Sequence, residues 1–548
     1  MPQTVLSVVM EVQPQSAGRL TGLIDAMEAA ARNPAPGMPQ YAVLKTQVPT
    51  VHFLSVTVFE DGQYDPLLVI EVNCDGPPGP FWAQMEAAYG PTLRDMIRCC
   101  KRPADERGIL FDDVAAAGAR RPVAPYLEAM TRRPMVFHQG NRGLDRDRVL
   151  RDAGLFLATR RVLAQAGPVT SPTDAERVHQ ALRGALMEEF PWLGQAAPAR
   201  ISGAEKAADL LHLLGFLGAL VFCFSIPGLV LAPFSHPLAL SLFLLVLAAF
   251  AGAMVWRLRA PLAGQAAPAP TGGLSLSRKR EVTSLAHPVG FLIALAAFLI
   301  LYAVLAAAIL TFLVWPLTGG APLGAVWHGT WRAVALSLFS LPFSALGILW
   351  WLRWLERRDS SQDAPPIPPD RLQEIAQRED RCVQNHMGSM VLVKPGVLRT
   401  VLALGGLHAL GLVVRVVARD GYLGSMRTIH FAHWALVNNN SRLMFFSNFD
   451  GSWESYLDDF IEKAHGGLSL AWGNCTGFPP GRFLVMDGAS HGRRFKAWAR
   501  HSQAVSRFWY SAYPDLTVNQ IERQAAIADG LRQATLTPAE ATSWVRRL

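Results

Sequence analysis

Charge is the first thing this chain is short of. Only 17% of its 548 residues are Asp, Glu, Lys or Arg, and the mean hydropathy is +0.20. That balance is high for a water-soluble protein of this length, which itself suggests two or three domains. Cysteine is equally sparse. The six cysteines, Cys74, Cys99, Cys100, Cys223, Cys382 and Cys475, are irregularly placed and include no CxxC pair. This excludes a secreted disulfide framework and gives no basis for a zinc or redox site. No nucleotide-binding glycine loop, HExxH, GxSxG or His/Cys metal spacing occurs, so hydrolase and kinase chemistry has no support. The start, MPQTVLSVVMEVQPQ, lacks the basic opening and long apolar stretch of a signal peptide, and the first region is expected to stay in the cytoplasm.

What is present is apolar and concentrated mid-chain. Four segments, Leu210–Leu231, Pro237–Trp256, Val289–Val314 and Ala333–Leu352, each hold roughly the 20 apolar residues that cross a bilayer. None contains Asp, Glu or Lys, which argues for an anchor rather than a pump or channel. The loops within each pair carry no Lys or Arg apart from Arg332, at the mouth of the fourth segment. The central loop (257–286) and the exit after Leu352 are basic, through Arg257, Arg259, Arg278, Lys279, Arg280, Arg353, Arg357 and Arg358. The positive-inside bias then places both ends and the central loop in the cytoplasm, as expected for a multi-pass protein of a bacterial inner membrane. Much of the net charge of +8 sits at these flanks, so the lipid bilayer, not nucleic acid, is the expected partner.

The two flanking regions echo each other. VHFLSVTVF and LLVIEVNCDG in the first match IHFAHWALV and RLMFFSNFDG in the second. His52-Phe53 thus answers His430-Phe431, and Asn73, Asp75 and Gly76 answer Asn448, Asp450 and Gly451. Phe137 precedes Arg151 and Ala153 as Trp509 precedes Arg523 and Ala525.

Alternation and turn signals predict strands over Val5–Met10, Val51–Phe59, Leu67–Asn73 and Met135–His138 in copy 1, with helices over Leu20–Ala31 and Phe81–Cys100. Copy 2 is expected to have strands at Ser389–Val393, Thr428–Val437, Leu443–Asn448 and Phe508–Ser511, and helices at Val397–Ala418 and Trp453–Ala464. The segment 466–503 reads as an insertion with a strand, Arg482–Met486, and a helix, Arg494–His501. The apolar helix from Val397 is interrupted by Arg399 and Arg415, which favours a buried or membrane-leaning helix over a fifth span.

The expected fold is α+β: two ferredoxin-like βαββαβ units, 1–165 and 385–535, with a four-helix transmembrane insertion (208–358) between them. Linkers cover 166–207 and 359–384, and a tail covers 536–548.

Two such units in one chain resemble the dimeric α/β-barrel superfamily, which includes dye-decolorising peroxidases and chlorite dismutases. The stretch TIHFAHWALVNNNSRLMFFSNFDGSWESYLDDFIEKA, with FWYSAYPDLTVNQIER, is also similar to a group of uncharacterised bacterial membrane proteins. The superfamily resemblance implies facing sheets and haem as the cofactor. The peroxidases' GxxDG motif is not reproduced, because NCDG and NFDG lack its leading glycine.

Strand alternation sorts the candidate residues. His52 and His430 share faces with residues that pack on helices, so a buried structural role with a hydrogen-bond partner is expected for both. His433 points the other way, toward the space between sheets, where copy 1 has Ser55. It is the stronger candidate for acid–base chemistry or ligation, with His430 as a second candidate cofactor ligand. Asn448 and Asp450 admit two readings: turn and capping chemistry, or a sheet-end carboxylate oriented by Asn448 and acting on a substrate or bound peroxide.

The function expected from all this is a membrane-anchored, haem-dependent, peroxidase-like oxidoreductase with a hydrophobic or lipid-derived substrate. Its rival is a non-catalytic ligand-binding or scaffold protein. The topology is directly testable. Single cysteines placed in either flanking region should react with an impermeant thiol reagent only after sealed cells are opened, and labelling of one region from outside would defeat the arrangement.

Overall fold

The computed structural model describes residues 3–60, 64–166, 172–231, 245, 317, 322–359, 366–417 and 426–548. The second and third expected membrane segments, Pro237–Trp256 and Val289–Val314, lie outside these apart from Leu245. The fold is mixed α+β, with antiparallel sheets and three helices long and apolar enough to cross a membrane.

The first sheet is built on three nine-residue strands, β1 (Gln3–Glu11), β2 (Val51–Phe59) and β3 (Leu67–Asp75). Two short strands follow, β4 (Thr131–Arg132) and β5 (Val136–Gln139). In the C-terminal half β6 (Gln384–Leu392), β7 (Ile429–Val437) and β8 (Arg442–Asp450) form the second sheet. Two-residue strands β9 (Gly481–Arg482) and β10 (Met486–Asp487) make a separate hairpin. The chain then adds β11 (Gln503–Ala504) and β12 (Phe508–Ser511).

The strand orders are β12-β2-β3-β1-β4 and β11-β6-β8-β7-β5. Each half's expected last strand therefore joins the other half's sheet. Phe508–Ser511 pairs with Val56–Phe53 on β2, and Val136–Gln139 pairs with Trp434–Phe431 on β7. This corrects the expectation that Met135–His138 and Phe508–Ser511 close their own units. The places beside β1 and β6 go to the two-residue strands β4 and β11. The physical reason is edge satisfaction: β2 and β7 each present an unpaired row of amides and carbonyls, and a crossing strand covers it. Gly140 permits the crossing, because a Cβ there would lie 2.2 Å from the Ile429 carbonyl oxygen.

Helices cover the outer faces. In the N-terminal half these are α1 (Ala17–Arg32), α2 (Ala42–Gln47), α3 (Pro78–Arg98), α4 (Arg107–Ala115) and α5 (Ala124–Met130). Leu20, Ile24 and Met27 of α1 and Phe81, Trp82 and Met85 of α3 pack on Leu6, Val8, Leu54, Val56 and Ile70. The chain continues through α6 (Arg146–Ala166), α7 (Pro172–Leu186), α8 (Gly203–Leu231), α9 (Pro322–Arg357) and α10 (Pro369–Ala376). Of these, α8 and α9 contain the first and fourth expected spans, and they pack closely where Gly228 approaches the Leu336 backbone.

The third apolar helix, α11 (Val397–Val417), lies against the second sheet. Its Gly411 sits over the Met135 carbonyl, and its His408 ring meets Phe216 of α8 at 5.4 Å. Its other side leaves Val397, Val413, Val416 and Val417 exposed. Further on are α12 (Trp453–Trp472), α13 (Gly492–Ser502), α14 (Val518–Arg532) and α15 (Pro538–Val545). The expected strand Arg482–Met486 is instead the β9–β10 turn. Phe483 and Leu484 take φ of 50° and 66°, which breaks an extended run.

The two sheets face each other. Val9, Phe59, Leu67, Val69, Ala435, Val437, Met444 and Phe446 form one apolar layer between them. Exchange at both edges makes each half depend on the other. Residues 1–166 expressed alone should aggregate or lack fixed tertiary packing, and co-expression with 366–548 should restore a soluble complex. Size exclusion and near-UV circular dichroism would report this, and a stably folded isolated N-terminal half would contradict it.

Candidate functional site

Three nine-residue strands in each half bring polar side chains into the same inter-sheet layer. Glu71, in the middle of β3, is fully buried there. It accepts hydrogen bonds from Asn73 Nδ2 and from Ser55 Oγ, the latter at 3.2 Å. Across the gap, His433 Nδ1 lies 3.8 Å from one Glu71 oxygen and His386 Nε2 lies 3.9 Å from the other. Neither of those ring nitrogens has a hydrogen-bond partner.

The opposite nitrogens are held by hydroxyls: His433 Nε2 by Ser7 at 3.2 Å, His386 Nδ1 by Ser506 at 2.6 Å. Both imidazoles stack on Phe446 with ring centroids 5.6 Å away. Asn448 completes the layer, accepting from Trp509 Nε1 at 2.9 Å while its own Nδ2 is buried without a partner.

The electrostatics follow from burial. Enclosure pushes the Glu71 carboxyl up to about 7, against the lowering effect of the Asn73 and Ser55 hydrogen bonds. The same enclosure pulls His433 down to about 3, and His386 likewise, with the neighbouring His433 adding to the latter. Uncharged forms are favoured on both sides of the gap. The Glu71–imidazole contacts are therefore close approaches of mostly neutral groups between about pH 3 and pH 7, and at 3.8–3.9 Å they are too long for hydrogen bonds.

The other sequence candidates lie elsewhere. Asp450 accepts from His430 Nε2 at 2.7 Å and from the Val518 backbone amide, at the N-terminus of α14, at 2.8 Å. The N-terminal half has a similar arrangement: His52 Nε2 lies 3.1 Å from Asp75, which accepts from the Arg146 amide at the start of α6 at 2.8 Å. Each His–Asp pair clamps the end of a long strand to a helix N-terminus, where a carboxylate is also favoured by the helix dipole. The structure thus places His433 and Asn448 in the inter-sheet layer, while Asp450 pairs with His430 at the sheet end.

Sequence reasoning missed Glu71 and His386. The available signal for Glu71 was a lone carboxylate in the otherwise apolar run LLVIEV. His386 had none, because its strand begins five residues before the expected Ser389, at Gln384.

A haem ligand needs one imidazole nitrogen open along its lone pair, with flat space beyond it. Ser7 and Glu71 stand at the two nitrogens of His433, and Phe446 covers its ring. His430 has Asp450 on Nε2, and its Nδ1 is buried. Neither residue fits haem in this arrangement. Among the described residues, no group of three His, Cys, Asp or Glu is placed to hold a metal ion.

The neutral cluster has a signed consequence. With its folded value raised, Glu71 contributes stability that is full below about pH 4.5 and is lost as pH rises toward about 7. The depressed histidines act oppositely, contributing fully above about pH 6.5 and losing that contribution as pH falls toward about 3. Glu71→Gln should therefore stabilise the protein above pH 7 by on the order of 3 kcal/mol and leave it unchanged below pH 4.5. Thermal unfolding in detergent across pH measures this. A variant less stable than wild type at pH 8 would mean that Glu71 is ionised and paired with an imidazolium.

Comparison of the chain with family models, with curated proteins and with solved structures finds no match.

Proposed function

We propose that this chain is a non-catalytic, membrane-anchored scaffold or ligand-binding protein. In this reading two ferredoxin-like units, related as internal repeats, pair in the manner of a dimeric α/β barrel. A four-helix insertion holds them at the cytoplasmic face of a bacterial inner membrane. The observation that carries the proposal is the filled space between the sheets. That is where the resemblance would put chemistry, and it is occupied by Glu71, His386, His433, Phe446 and their hydroxyl partners. A buried polar layer of this kind sets which strand faces which. Its lining side chains Glu71, His386, His433 and Phe446 are all buried.

Three further features support the reading. The strand orders fit two ferredoxin-like sheets, each extended by the other's strand. The His52–Asp75 and His430–Asp450 clamps recur at matching positions. Three helices have the length and composition of membrane spans, and the basic residues flank them.

The oxidoreductase expectation drew on the doubled fold, the position at the bilayer and His433 on the inward face, and the packing at both nitrogens of His433 speaks against the last of these. An absorption spectrum of detergent-purified protein, expressed with haem in excess, separates the two readings. We expect no Soret band beyond adventitious levels, and wild type and His433→Ala should be indistinguishable. A strong Soret band lost in His433→Ala would overturn the scaffold reading.

A further inference from the structure

The last turns of α9 carry the marks of a membrane–water boundary. Phe343, Leu346 and Leu349 are exposed along the helix, followed by exposed Trp350, Trp351 and Trp354 and then by Arg353, Arg357 and Arg358. Aromatic residues succeeded by arginines are the pattern of a span leaving the hydrocarbon and entering the headgroup layer. Arg358 lies over the Trp354 ring at 3.9 Å, within that layer.

The β9–β10 hairpin is fastened at the same level. Glu356 accepts from the Phe483 and Leu484 amides at 3.0 and 2.9 Å, and Arg353 donates to the Gly481 carbonyl at 3.2 Å. The hairpin exposes Phe483, Val485 and Met486. A soluble surface gains nothing from such a cluster, whereas a headgroup–acyl boundary would receive it.

Between α9, the start of α11 and the 466–503 segment is a cleft lined by Glu356, Asp359, Lys394, Arg399, Ser469 and Asn474, among others. Lys394 and Arg399 are both more than nine-tenths buried. They share one carboxylate, Asp359, which pairs with Lys394 and lies 3.5 Å from Arg399. Each also donates to a backbone carbonyl: Lys394 to Gly473 at 3.3 Å and Arg399 to Leu355 at 3.2 Å. Glu356 is matched by Arg353 at 3.0 Å and by the two hairpin amides. Among the described residues, two buried cations thus share one carboxylate, and Asn474 adds a donor: its Nδ2 is buried without a partner.

We propose that this cleft binds the phosphate of an anionic membrane lipid, an assignment that names the ligand class of the membrane-anchored scaffold and rests on that anchoring. A phosphodiester monoanion supplies the negative charge that the second buried cation lacks, and burying an uncompensated cation is costly. Its oxygens suit an ammonium, a guanidinium and an amide donor together. Free phosphate shares this chemistry. The boundary position favours the lipid, because acyl chains attached to a phosphate in the cleft can run along the exposed Leu346 and Leu349 of α9.

The test uses the full chain in nanodiscs of phosphatidylcholine, alone or mixed with phosphatidylglycerol, and follows thermal unfolding of the soluble region. Phosphatidylglycerol should raise the unfolding temperature by about 3 °C or more. Arg399→Gln should abolish the rise. It removes the surplus cation and leaves the Lys394–Asp359 pair intact, so it should fold at least as well in phosphatidylcholine. Asn474→Ala, which leaves both ion pairs in place, should reduce the rise and guards against a misfolded Arg399 variant. Inorganic phosphate added to phosphatidylcholine discs should give no comparable rise, and a full-sized effect from it would reassign the cleft to soluble phosphate and overturn the lipid assignment. Equal unfolding temperatures in the two disc types, or a rise that persists in both variants, would overturn this proposal alone. Release of the chain from native membranes by alkaline carbonate would instead overturn the anchoring and this proposal with it.

Discussion

A β-strand with no neighbour leaves every second amide and carbonyl of its backbone to water or to chance pairing. Both halves of this chain contain a long central sheet with such an edge, on β2 and on β7, and each is closed by a strand that belongs to the other half. Much of the rest follows from that pair of crossings. They bring the two sheets face to face, lock residues that are hundreds of positions apart in sequence into register, and set Trp509 against Ser55 as Phe137 is set against His433. The side chains between the sheets then have no solvent, and their chemistry is decided by enclosure.

Enclosure explains why the inter-sheet layer is polar yet mostly uncharged between about pH 3 and pH 7. A carboxyl and two imidazoles are held near one another by Ser7, Ser55, Asn73 and Ser506. Burial raises the acid and lowers the bases, so the proton stays on Glu71 and off the rings. The charged residues that the fold does bury elsewhere are handled differently. Asp75 and Asp450 are stabilised at helix N-termini by backbone amides and a histidine each. Lys394 and Arg399 share Asp359 just past the C-terminal end of α9.

The apolar helices are joined to the two-sheet assembly at more than one point. α8 and α9 pack on each other, and α11 lies between α8 and the second sheet. The 466–503 segment is tied to α9 through Glu356 and Arg353. The two-sheet assembly is therefore joined to the apolar helices by side-chain contacts as well as by the chain itself.

Local signals determined a good deal. Hydropathy located the first and fourth expected spans, which fall in α8 and α9, and strand and turn signals located β2, β3, β7 and β8 to within two residues, because each is a long run of strand-forming residues bounded by turns. Strand alternation put His433 on the inter-sheet face and His430 with a partner. What tertiary structure decided was partnership. Which edge a four-residue strand such as VFHQ or FWYS joins depends on the free edges available in space, and nothing in its own composition encodes that. The extended run RFLVM reads as a strand, but two left-handed residues turn it into a hairpin that Glu356 caps. Glu71 and His386 look like unrelated polar interruptions until the facing sheets bring them within 4 Å, at 3.9 Å. Their shifted proton affinities belong to that enclosure and to no property of either residue alone.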